Sequence, residues 1–473
     1  MNQELCDNAD KLVKFVMHRG VKYCDVRAED QLTESISIEN NQIENTKLNS
    51  DGGFGVRFLK NGKWGFCSFS NLESFEFMKD SLEQAINHTS QYSENKKSLS
   101  ELFPCETKKF SKEFKVLKKP NLEKLIEIGL ECDEIIFQEP LVKRSSIISW
   151  YTAKSKFFTS SEGTQISQSY TDVVMELNVI AHNSGVTQSI NVTEGGRGGM
   201  EKITESEKVQ KSAREISQKA SELLDARHVK EENSTVVMNP DFVSLLTHEI
   251  LGHPSEADRV LGKEMAWAGG AWWKNKLGEK IGSKDLNVFD DPTIEGSLGW
   301  YFYDDEGVKS SRTSLVEDGI LKNHMHNRET AMIFGVNPTG NMRATDYRFM
   351  PLIRMACTCI SPGDWNPDEI IKETKNGYLI SNMKIPSIDM RRYNWSISCQ
   401  YAQKIENGEL TDLLRDVIVM GVAPDFFQSI DACGNDFAVR PITNCGKGDP
   451  MQSMMMGNGG PTLRGLATIK SVN

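Results

Sequence analysis

The stretch that decides the fold runs from 235 to 258 and reads TVVMNPDFVSLLTHEILGHPSEAD. It opens with a short β-branched run. Asn239 followed by Pro240 is then typical of a helix N-terminus, because Asn caps the first turn and Pro fits there without losing a hydrogen bond. Five apolar side chains at helical spacing predict a broad buried face: Phe242, Val243, Leu245, Leu246 and Ile250. The sequence therefore predicts a strand that leads into a buried helix.

This helix carries His248 and Glu249 and is followed by Gly252, His253 and Pro254. At about 100° per residue, two histidines five positions apart diverge by about 140° on a regular α-helix. Gly252 is a common helix terminator, and Pro254 disfavours the α-helical conformation at the residue before it. We therefore expect the helix to end between the two histidines, so that His253 can turn back toward His248.

Two histidines beside a glutamate indicate a metal site of the hydrolytic kind. Zinc takes neutral imidazoles and usually one further protein ligand, and it leaves a position open for water. Glu249 stands next to the first histidine, where a carboxylate can take a proton from a metal-bound water whose pKa the metal lowers to about 7. The competing interpretation is structural, with His248 and His253 capping a helix end and satisfying buried polar groups.

Local sequence leaves the third ligand open, because several residues carry suitable donor atoms. The candidates are Glu256, Asp258, His324, His326, Cys357, Cys359, Cys433 and Cys445. Cys445 precedes a Gly-Lys-Gly turn that is expected to leave its thiol exposed, and the nearby lysine would favour the thiolate. Cys433 has a similar setting but sits beside two acids, which oppose thiolate formation.

Composition sets the broad class of protein. The chain has 473 residues, of which 38% are hydrophobic and 26% charged, so it can bury a sizeable core. A formal charge of −11 argues against a protein that wraps a nucleic-acid backbone. No apolar stretch approaches the roughly 18–20 residues that span a bilayer, and the start lacks signal-peptide order. The ten cysteines form no C-x-x-C pair. We expect a cytoplasmic protein with no membrane partner and no direct nucleic-acid partner.

Hydrophobic periodicity and turn signals predict three consecutive α+β regions, rich in antiparallel sheet, at 1–105, 106–230 and 231–473. Residues 7–18 and 73–90 have the spacing of helices, and Asn61-Gly62 between apolar runs predicts a hairpin. The polar, lysine-rich stretch 92–119 is the best candidate for a linker. In the third region we expect the helix with the two histidines to line a groove.

Two further features favour structural roles. Trp267, Trp272 and Trp273 are expected to be packing residues or a mobile lid. Arg391 and Arg392 are expected to form a solvated face, with a smaller chance of contacting a substrate carboxylate.

Several motifs, in order along the chain, resemble those of the TldD/PmbA family of metalloproteases, once named as modulators of DNA gyrase. They are DGGFGVRFLKNGKWGFCS (51–68), GGRGGME (195–201), HEILGHPSEAD (248–258), YDDEGVKSSRTSLVEDGILKNHM (303–325), NPTGNMR (337–343), PLIRM (351–355) and NCGKGDPMQSMMMGNGGPTL (444–463). The resemblance covers most of the chain and implies the sheet-rich α+β fold of that family. Because H-E-x-x-x-H is present, the chain resembles the catalytic TldD-type subunit.

The resemblance implies that His248, His253 and Cys445 bind one zinc ion per chain and that Glu249 is the general acid/base. Two departures stand near the cysteine: Thr443 replaces the family's glycine, and the expected G-K-x-G-Q is altered over 446–452. The family typically hydrolyses peptide bonds in unfolded or extended polypeptide inside a dimer cavity. A homodimer or a heterodimer with a TldE/PmbA-type subunit is therefore expected. The alternatives are a non-catalytic, peptide-binding or gyrase-modulating subunit, and a hydrolase of small amides that shares the same site.

Overall fold

The structure is a computed structural model, and it describes residues 3–91, 102–264 and 270–472. The N-terminal region consists of α1 (Gln3–Met17), β1 (Tyr23–Glu39), β2 (Gln42–Lys60), β3 (Lys63–Ser70) and α2 (Phe75–Gln91). The two predicted helices are confirmed, and so is the hairpin at Asn61-Gly62, where β2 and β3 pair antiparallel. The apolar side of α1 packs against the sheet through Leu12 and Val16, which are fully buried.

The middle region consists of β4 (Lys109–Glu113), α3 (Leu122–Ile136), β5 (Val142–Ser160), β6 (Gln165–Asn183), β7 (Val186–Arg197), α4 (Glu201–Thr204) and α5 (Lys208–Glu222). Of the predicted linker at 92–119, residues 92–101 lie outside the described residues. The remainder is more than a solvated connection, because β4 pairs in parallel with β6. That part of the linker prediction is wrong.

The strands of these two regions form one seven-stranded sheet. Its order is β3-β2-β1-β5-β6-β4, with β7 also paired to β6. β1 and β5 pair antiparallel from Asp25 to Glu39, so backbone hydrogen bonds join the two regions directly. α3 and α5 pack on this sheet over a shared apolar cluster. The division of the chain at residues 105 and 230 stays a prediction.

The third region begins with β8 (Glu232–Met238), α6 (Pro240–Leu246), a π-helical turn (Thr247–Gly252), a 3₁₀ turn (His253–Ser255) and α7 (Ala257–Leu261). It continues with β9 (Val288–Asp290), β10 (Thr313–Glu317), β11 (Ile320–Leu321), α8 (Arg328–Phe334), β12 (Met342–Arg343), β13 (Leu352–Ile353), β14 (Cys357–Ile360) and α9 (Pro367–Lys372). It ends with β15 (Asn376–Ile388), β16 (Asn394–Glu406), β17 (Glu409–Leu414), β18 (Val417–Val422), α10 (Ala423–Ser429), β19 (Ala432–Cys433), β20 (Ala438–Lys447), β21 (Gln452–Gly460) and β22 (Leu463–Ser471).

Two larger sheets build this third region. One has the order β15-β8-β22-β18-β16-β17, and a direct β15–β16 pairing closes five of its strands into a ring. The other has the order β11-β10-β9-β14-β21-β20. α6 and the turns after it lie in the large apolar core that these sheets share. The expected α+β class with largely antiparallel sheet is confirmed. Among the described residues, no helix is both long and apolar enough to cross a membrane.

Candidate metal centre

The helix that leads to the histidines begins as predicted. Asn239 has an extended backbone, and its side-chain oxygen accepts the N–H of Phe242 at 3.0 Å. Pro240 occupies the first turn, where its missing N–H costs nothing. Phe242 and Leu246 are fully buried, so packing fixes the helix before the chain reaches the histidines.

After Leu246 the helix widens. Thr247–Gly252 form a π-helical turn, and the N–H of His253 donates to the carbonyl of His248, five residues earlier. Because the hydrogen bonds of a π turn join residue i to residue i+5, this turn brings the two histidines together, with ring centroids 4.8 Å apart. The expected loss of helical conformation at His253 is wrong, since its φ is −61° and its ψ is −40°.

Close packing requires the glycine in this turn. Gly252 has a helical backbone, and a Cβ added to it would lie 1.9 Å from the Sδ of Met355. Two tryptophans satisfy carbonyl groups of the same segment: Trp272 Nε1 donates to the carbonyl of Ile250 at 2.8 Å, and Trp273 Nε1 donates to the carbonyl of Pro254. Both tryptophans are buried packing residues, as expected. Trp267 lies outside the described residues.

The cysteine near the C-terminus reaches the histidines from a neighbouring sheet. Cys445 lies on β20, where the register with β21 shifts between Ile442 and Cys445; such a bulge re-aims side chains. Its Sγ is 3.5 Å from His253 Nε2, and ligand atoms of His248, His253 and Cys445 all lie within 4.8 Å of one another. All three residues are 2% exposed, so the prediction of an exposed thiol is wrong.

Both imidazoles are oriented by an oxygen acceptor behind them. His248 Nδ1 donates to Asn458 Oδ1 at 2.9 Å, and the Nδ2 of that amide donates to the carbonyl of Thr358, which supports the assignment of its oxygen. His253 Nδ1 donates to Glu256 Oε2 at 3.2 Å. Partners of this kind fix the tautomer of metal-binding histidines and leave Nε2 free for the ion. Two imidazole Nε2 atoms and one thiolate are a donor set that zinc prefers.

The charges around the sulfur favour the thiolate. Burial raises the pKa of Cys445, but His248, His253 and Arg354 outweigh it and hold that pKa well below its usual range. Arg354 donates to the carbonyl of Cys445 itself. Burial also disfavours a charged imidazole, yet Cys445 and Glu249 raise the pKa of His248 to about 9. A divalent cation bound by these three side chains would supply positive charge beside the thiolate, and its binding would release protons from the cluster.

Glu249 is held beside this cluster by an arginine. The Nη1 of Arg392 donates to the backbone carbonyl of Glu249 at 3.1 Å and to its Oε2. Burial raises the pKa of Glu249, but Arg392 and the two imidazoles outweigh it and lower that pKa to about 2. The carboxylate therefore stays ionised at neutral pH. Arg392 is buried, so the prediction of a solvated face is wrong for this residue, whereas Arg391 is exposed.

The two acids closest to His253 in sequence support the site from outside the cluster. Glu256 Oε2 lies 2.7 Å from the Nε of Arg259 and 3.1 Å from the Nζ of Lys447. Asp258 pairs with the same lysine at 2.7 Å. Lys447 therefore pairs with these carboxylates, and its effect on the thiolate of Cys445 stays a prediction.

The other candidates for the third ligand lie elsewhere. The Sγ atoms of Cys357 and Cys359 are 3.8 Å apart and buried. His324 and His326 lie against each other, with ring centroids 6.2 Å apart, and Cys433 Sγ donates to a backbone carbonyl. Within the described ranges, Cys445 is the candidate that joins His248 and His253 in a cluster able to hold a metal.

Sequence reasoning missed the residues that surround these side chains. Asn458 belongs to the C-terminal run that carries the resemblance, and Arg354 belongs to PLIRM. Nothing in either motif indicates that the amide orients His248 or that the guanidinium contacts the carbonyl of Cys445. In the sequence, Arg392 stands out only as one of two adjacent arginines.

The departure at Thr443 adds a contact between sheets. Its Oγ1 donates to Glu176 Oε1 at 2.9 Å, on β6 of the seven-stranded sheet. The cysteine two residues later still reaches the histidines. The threonine is therefore compatible with the geometry of the cluster.

The chain is similar to family models, to named relatives and to a solved structure. Family models described as PmbA/TldA metallopeptidase domain 1, central domain and C-terminal domain match residues 24–89, 115–224 and 231–464. A metalloprotease of Methanocaldococcus jannaschii is 33% identical over 94% of this chain and 96% of its own. A zinc metalloprotease TldD homolog of Saccharolobus solfataricus is 27% identical, over 96% of this chain and 97% of its own. The structure of TldE from Thermococcus kodakarensis covers 98% of this chain and 100% of its own with a TM-score of 0.75 and 19% identity, and shows the same fold.

These matches first define a class, because the relatives are named metalloproteases and the family models describe metallopeptidase domains. The chain is a metallopeptidase. More narrowly, it belongs to the PmbA/TldD family, since the models for all three of that family's domains match in order along it.

Proposed function

We propose that this chain is a zinc-dependent peptidase that hydrolyses peptide bonds in unfolded or extended polypeptides, with one zinc ion per chain. The observation that carries the proposal is the convergence of His248, His253 and Cys445, whose ligand atoms lie within 4.8 Å of one another next to an ionised Glu249. The name of the Saccharolobus solfataricus relative, a zinc metalloprotease, supports the choice of metal.

Each residue has a defined task in this proposal. A zinc ion held by these three side chains would keep one position open for a water and lower the pKa of that water to about 7. Arg392 holds Oε2 of Glu249, which leaves Oε1 to accept a proton and to return it to the leaving amine. Asn458 and Glu256 keep the Nδ1 atoms of the two histidines occupied.

An extended substrate has a suitable edge to pair with. β20 carries Cys445 and is the last strand of the six-stranded sheet. Main-chain pairing of a peptide with such an edge gives affinity without strong side-chain preference. We therefore expect casein-like, unfolded proteins to be cleaved faster than folded ones, and equal rates would contradict this mode of binding.

The proposal includes a homodimer or a heterodimer with a TldE/PmbA-type subunit. The fold that this chain shares with TldE supports it. The molar mass of the purified chain in solution, alone and mixed with such a subunit, tests it. The cytoplasmic location stays a prediction.

The first experiment separates the enzyme from a non-catalytic peptide-binding subunit. Glu249→Gln should keep about one zinc per chain and lose at least about 100-fold in kcat, because it removes the proton acceptor. His248→Ala should lose the zinc, and Glu73→Gln, at an exposed position, is the matched control. Elemental analysis and hydrolysis of a fluorogenic peptide give the two readouts. Full activity of Glu249→Gln would show that the assigned mechanism is wrong.

The third ligand is tested by Cys445→Ser, with Cys433→Ser as the matched control. Cys445→Ser should lower the zinc content of the purified protein, and the control should keep it, because Cys433 is also buried but is not part of the cluster of His248, His253 and Cys445. Unchanged zinc in Cys445→Ser would show that Cys445 is not the third ligand and would return that role to Glu256 or to the strand at 357–359.

A further inference from the structure

A cavity of about 230 Å³ lies between the seven-stranded sheet and the third region. Its walls come from β1, β5, β6 and the end of β7 on one side and from 301–305, 343–345 and 453–455 on the other. A water molecule takes about 30 Å³ in the liquid, and sites for drug-sized ligands start at about 300 Å³. The cavity therefore suits one amino-acid side chain or a chain end.

Four cationic side chains line this cavity, and three of them have a carboxylate partner. The pairs are Lys154 Nζ with Glu29 Oε2 at 2.7 Å, Lys156 Nζ with Asp305 Oδ1 at 2.5 Å, and Arg197 Nε with Asp172 Oδ1 at 2.7 Å. Arg343 is the fourth. Its Nη1 donates to the carbonyl of Met355 at 2.7 Å and its Nη2 to the carbonyl of Met455 at 3.4 Å. Among the described residues, no carboxylate lies within ion-pair distance of Arg343.

Neighbouring charges act on Arg343. Burial and the charges of Arg197 and Arg354 lower the pKa of Arg343, against the opposite effect of Tyr301. An arginine nevertheless keeps its proton at neutral pH. Asp304 is also in the wall, where burial and the charge of Glu306 raise its pKa well above the usual range. Arg343 is therefore a charged group of the wall with no carboxylate of its own among the described residues, and an anion in the cavity would pair with it.

The cavity lies close to the metal centre. Met454 and Met455 are in its wall, and Met454 is the direct partner of Cys445 in the β20–β21 ladder. Met355, whose carbonyl accepts a hydrogen bond from Arg343, also has its Sδ 3.8 Å from Nδ2 of Asn458. Asn458 is the residue whose side-chain amide orients His248. Paired residues of neighbouring strands lie about 5 Å apart and an extended chain advances about 3.3 Å per residue, so we expect the cleaved bond to lie a few residues from the group that the cavity holds.

We infer that this cavity binds a carboxylate group of the peptide substrate and that Arg343 is the residue that recognises it. The identity of the ligand as a peptide rests on the proposed function. A guanidinium pairs with a carboxylate through two parallel N–H bonds. The C-terminus of a peptide and the side chain of Asp or Glu both carry a carboxylate that Arg343 could bind. In either case the cleaved bond would lie at a fixed distance from the bound carboxylate.

Peptide binding to the zinc-loaded Glu249→Gln protein tests this inference without turnover. Three hexapeptides of one parent sequence are compared by calorimetry: a free acid, its C-terminal amide, and the amide with one internal Glu. We expect at least one of the carboxylate peptides to bind about tenfold or more tightly than the plain amide, and the tighter one identifies the source. Equal affinities for all three would overturn the inference.

The added substitution Arg343→Gln should abolish this discrimination, so that the three peptides bind with equal affinity. Arg348→Gln is the matched control, because Arg348 is exposed and pairs with Asp346 outside the cavity. Discrimination that survives Arg343→Gln in a folded protein would overturn the assignment. If Arg343→Gln does not fold, Arg343→Lys carries the test, with a discrimination reduced several-fold because the forked pairing is lost.

Failure of the two proposals can be told apart. Wild-type protein that binds zinc but cleaves no peptide contradicts the proposed function, whereas the affinity ratio measured on Glu249→Gln protein does not depend on turnover. In an active enzyme, cleavage sites mapped by mass spectrometry should lie at a constant distance from the recognised carboxylate, and Arg343→Gln should scatter them. Cleavage at positions unrelated to any carboxylate would contradict the inference.

Discussion

The pair formed by Glu249 and Arg392 shows how single residues set the chemistry of this centre. One guanidinium nitrogen contacts both the backbone carbonyl and the carboxylate of Glu249, so it fixes the rotamer as well as the charge of that side chain. Hydrogen bonds to charged groups contribute about 1.5–3 kcal/mol each. Without Arg392 the carboxylate would lose its defined position beside the histidines and the largest of the charges that lower its pKa.

We therefore predict that Arg392→Gln lowers kcat by about 10–100-fold, with little change in zinc content, because Glu249 loses its orientation while the metal-binding atoms are untouched. Arg391→Gln is the matched control at the neighbouring, exposed position. Steady-state kinetics and elemental analysis of both variants check this, and Arg392→Lys should recover part of kcat. Wild-type kcat in Arg392→Gln would contradict the positioning role.

At the scale of elements, the π-helical turn brings together two histidines that lie five residues apart in sequence. A regular α-helix would point them about 140° apart, but the wider turn aligns them while His253 keeps helical dihedral angles. The turn is held by its surroundings: Trp272 binds the carbonyl of Ile250 within it, Trp273 binds the carbonyl of Pro254 just after it, and Met355 packs against Gly252. Backbone geometry here depends on tertiary packing as much as on local preference.

Gly252→Ala tests this packing. The new Cβ would meet Met355 Sδ at 1.9 Å, and Met355 is itself in contact with Asn458. We expect a loss of about 1–3 kcal/mol in the free energy of unfolding, as is usual for overpacking, together with weaker zinc binding. In a Met355→Ala background, Gly252→Ala should lower the free energy of unfolding by clearly less, because the space that the new Cβ needs is then open. Equal cost in both backgrounds would show that the clash does not decide the need for glycine.

At the scale of the whole molecule, burial makes two histidines sensitive to acid. Burial lowers the pKa of His324 to about 4, and burial together with the charge of His324 lowers the pKa of His326 to about 3. An unfolded histidine titrates near 6.5. Between about pH 6.5 and pH 4 the unfolded chain thus binds protons that the folded chain does not, so stability falls as the pH falls.

We predict that the free energy of unfolding of zinc-free protein decreases from pH 7 to pH 4.5 by on the order of 2 kcal/mol for each of these histidines. The double variant His324→Gln/His326→Gln should lose that part of the pH dependence, whatever its stability at pH 7. His18→Gln is the control, because its side chain is exposed. Urea titrations at the two pH values give the comparison, and an unchanged slope in the double variant would contradict the prediction.

Several parts of the fold could be predicted because their signals are local. The helix start at Asn239, the hairpin at Asn61-Gly62 and the helices at both ends of the first region follow from capping, turn and periodicity rules that act within a few residues. The three residues that form the cluster could be named from motif resemblance. Their ligand role stays a proposal, but the structure does bring them together.

The sequence by itself thus determined where the helix with the histidines begins and which donor side chains are present. Only the tertiary structure decided that Asn458 orients His248 across 210 positions, that Arg392 holds Glu249 across 143, and that Cys445 is buried. The physical reason is that capping and periodicity act over one or two turns, whereas these contacts depend on how separate sheets pack. For the same reason the π turn, which Met355 and Trp272 hold in place, could not be predicted from the H-E-x-x-x-H spacing alone.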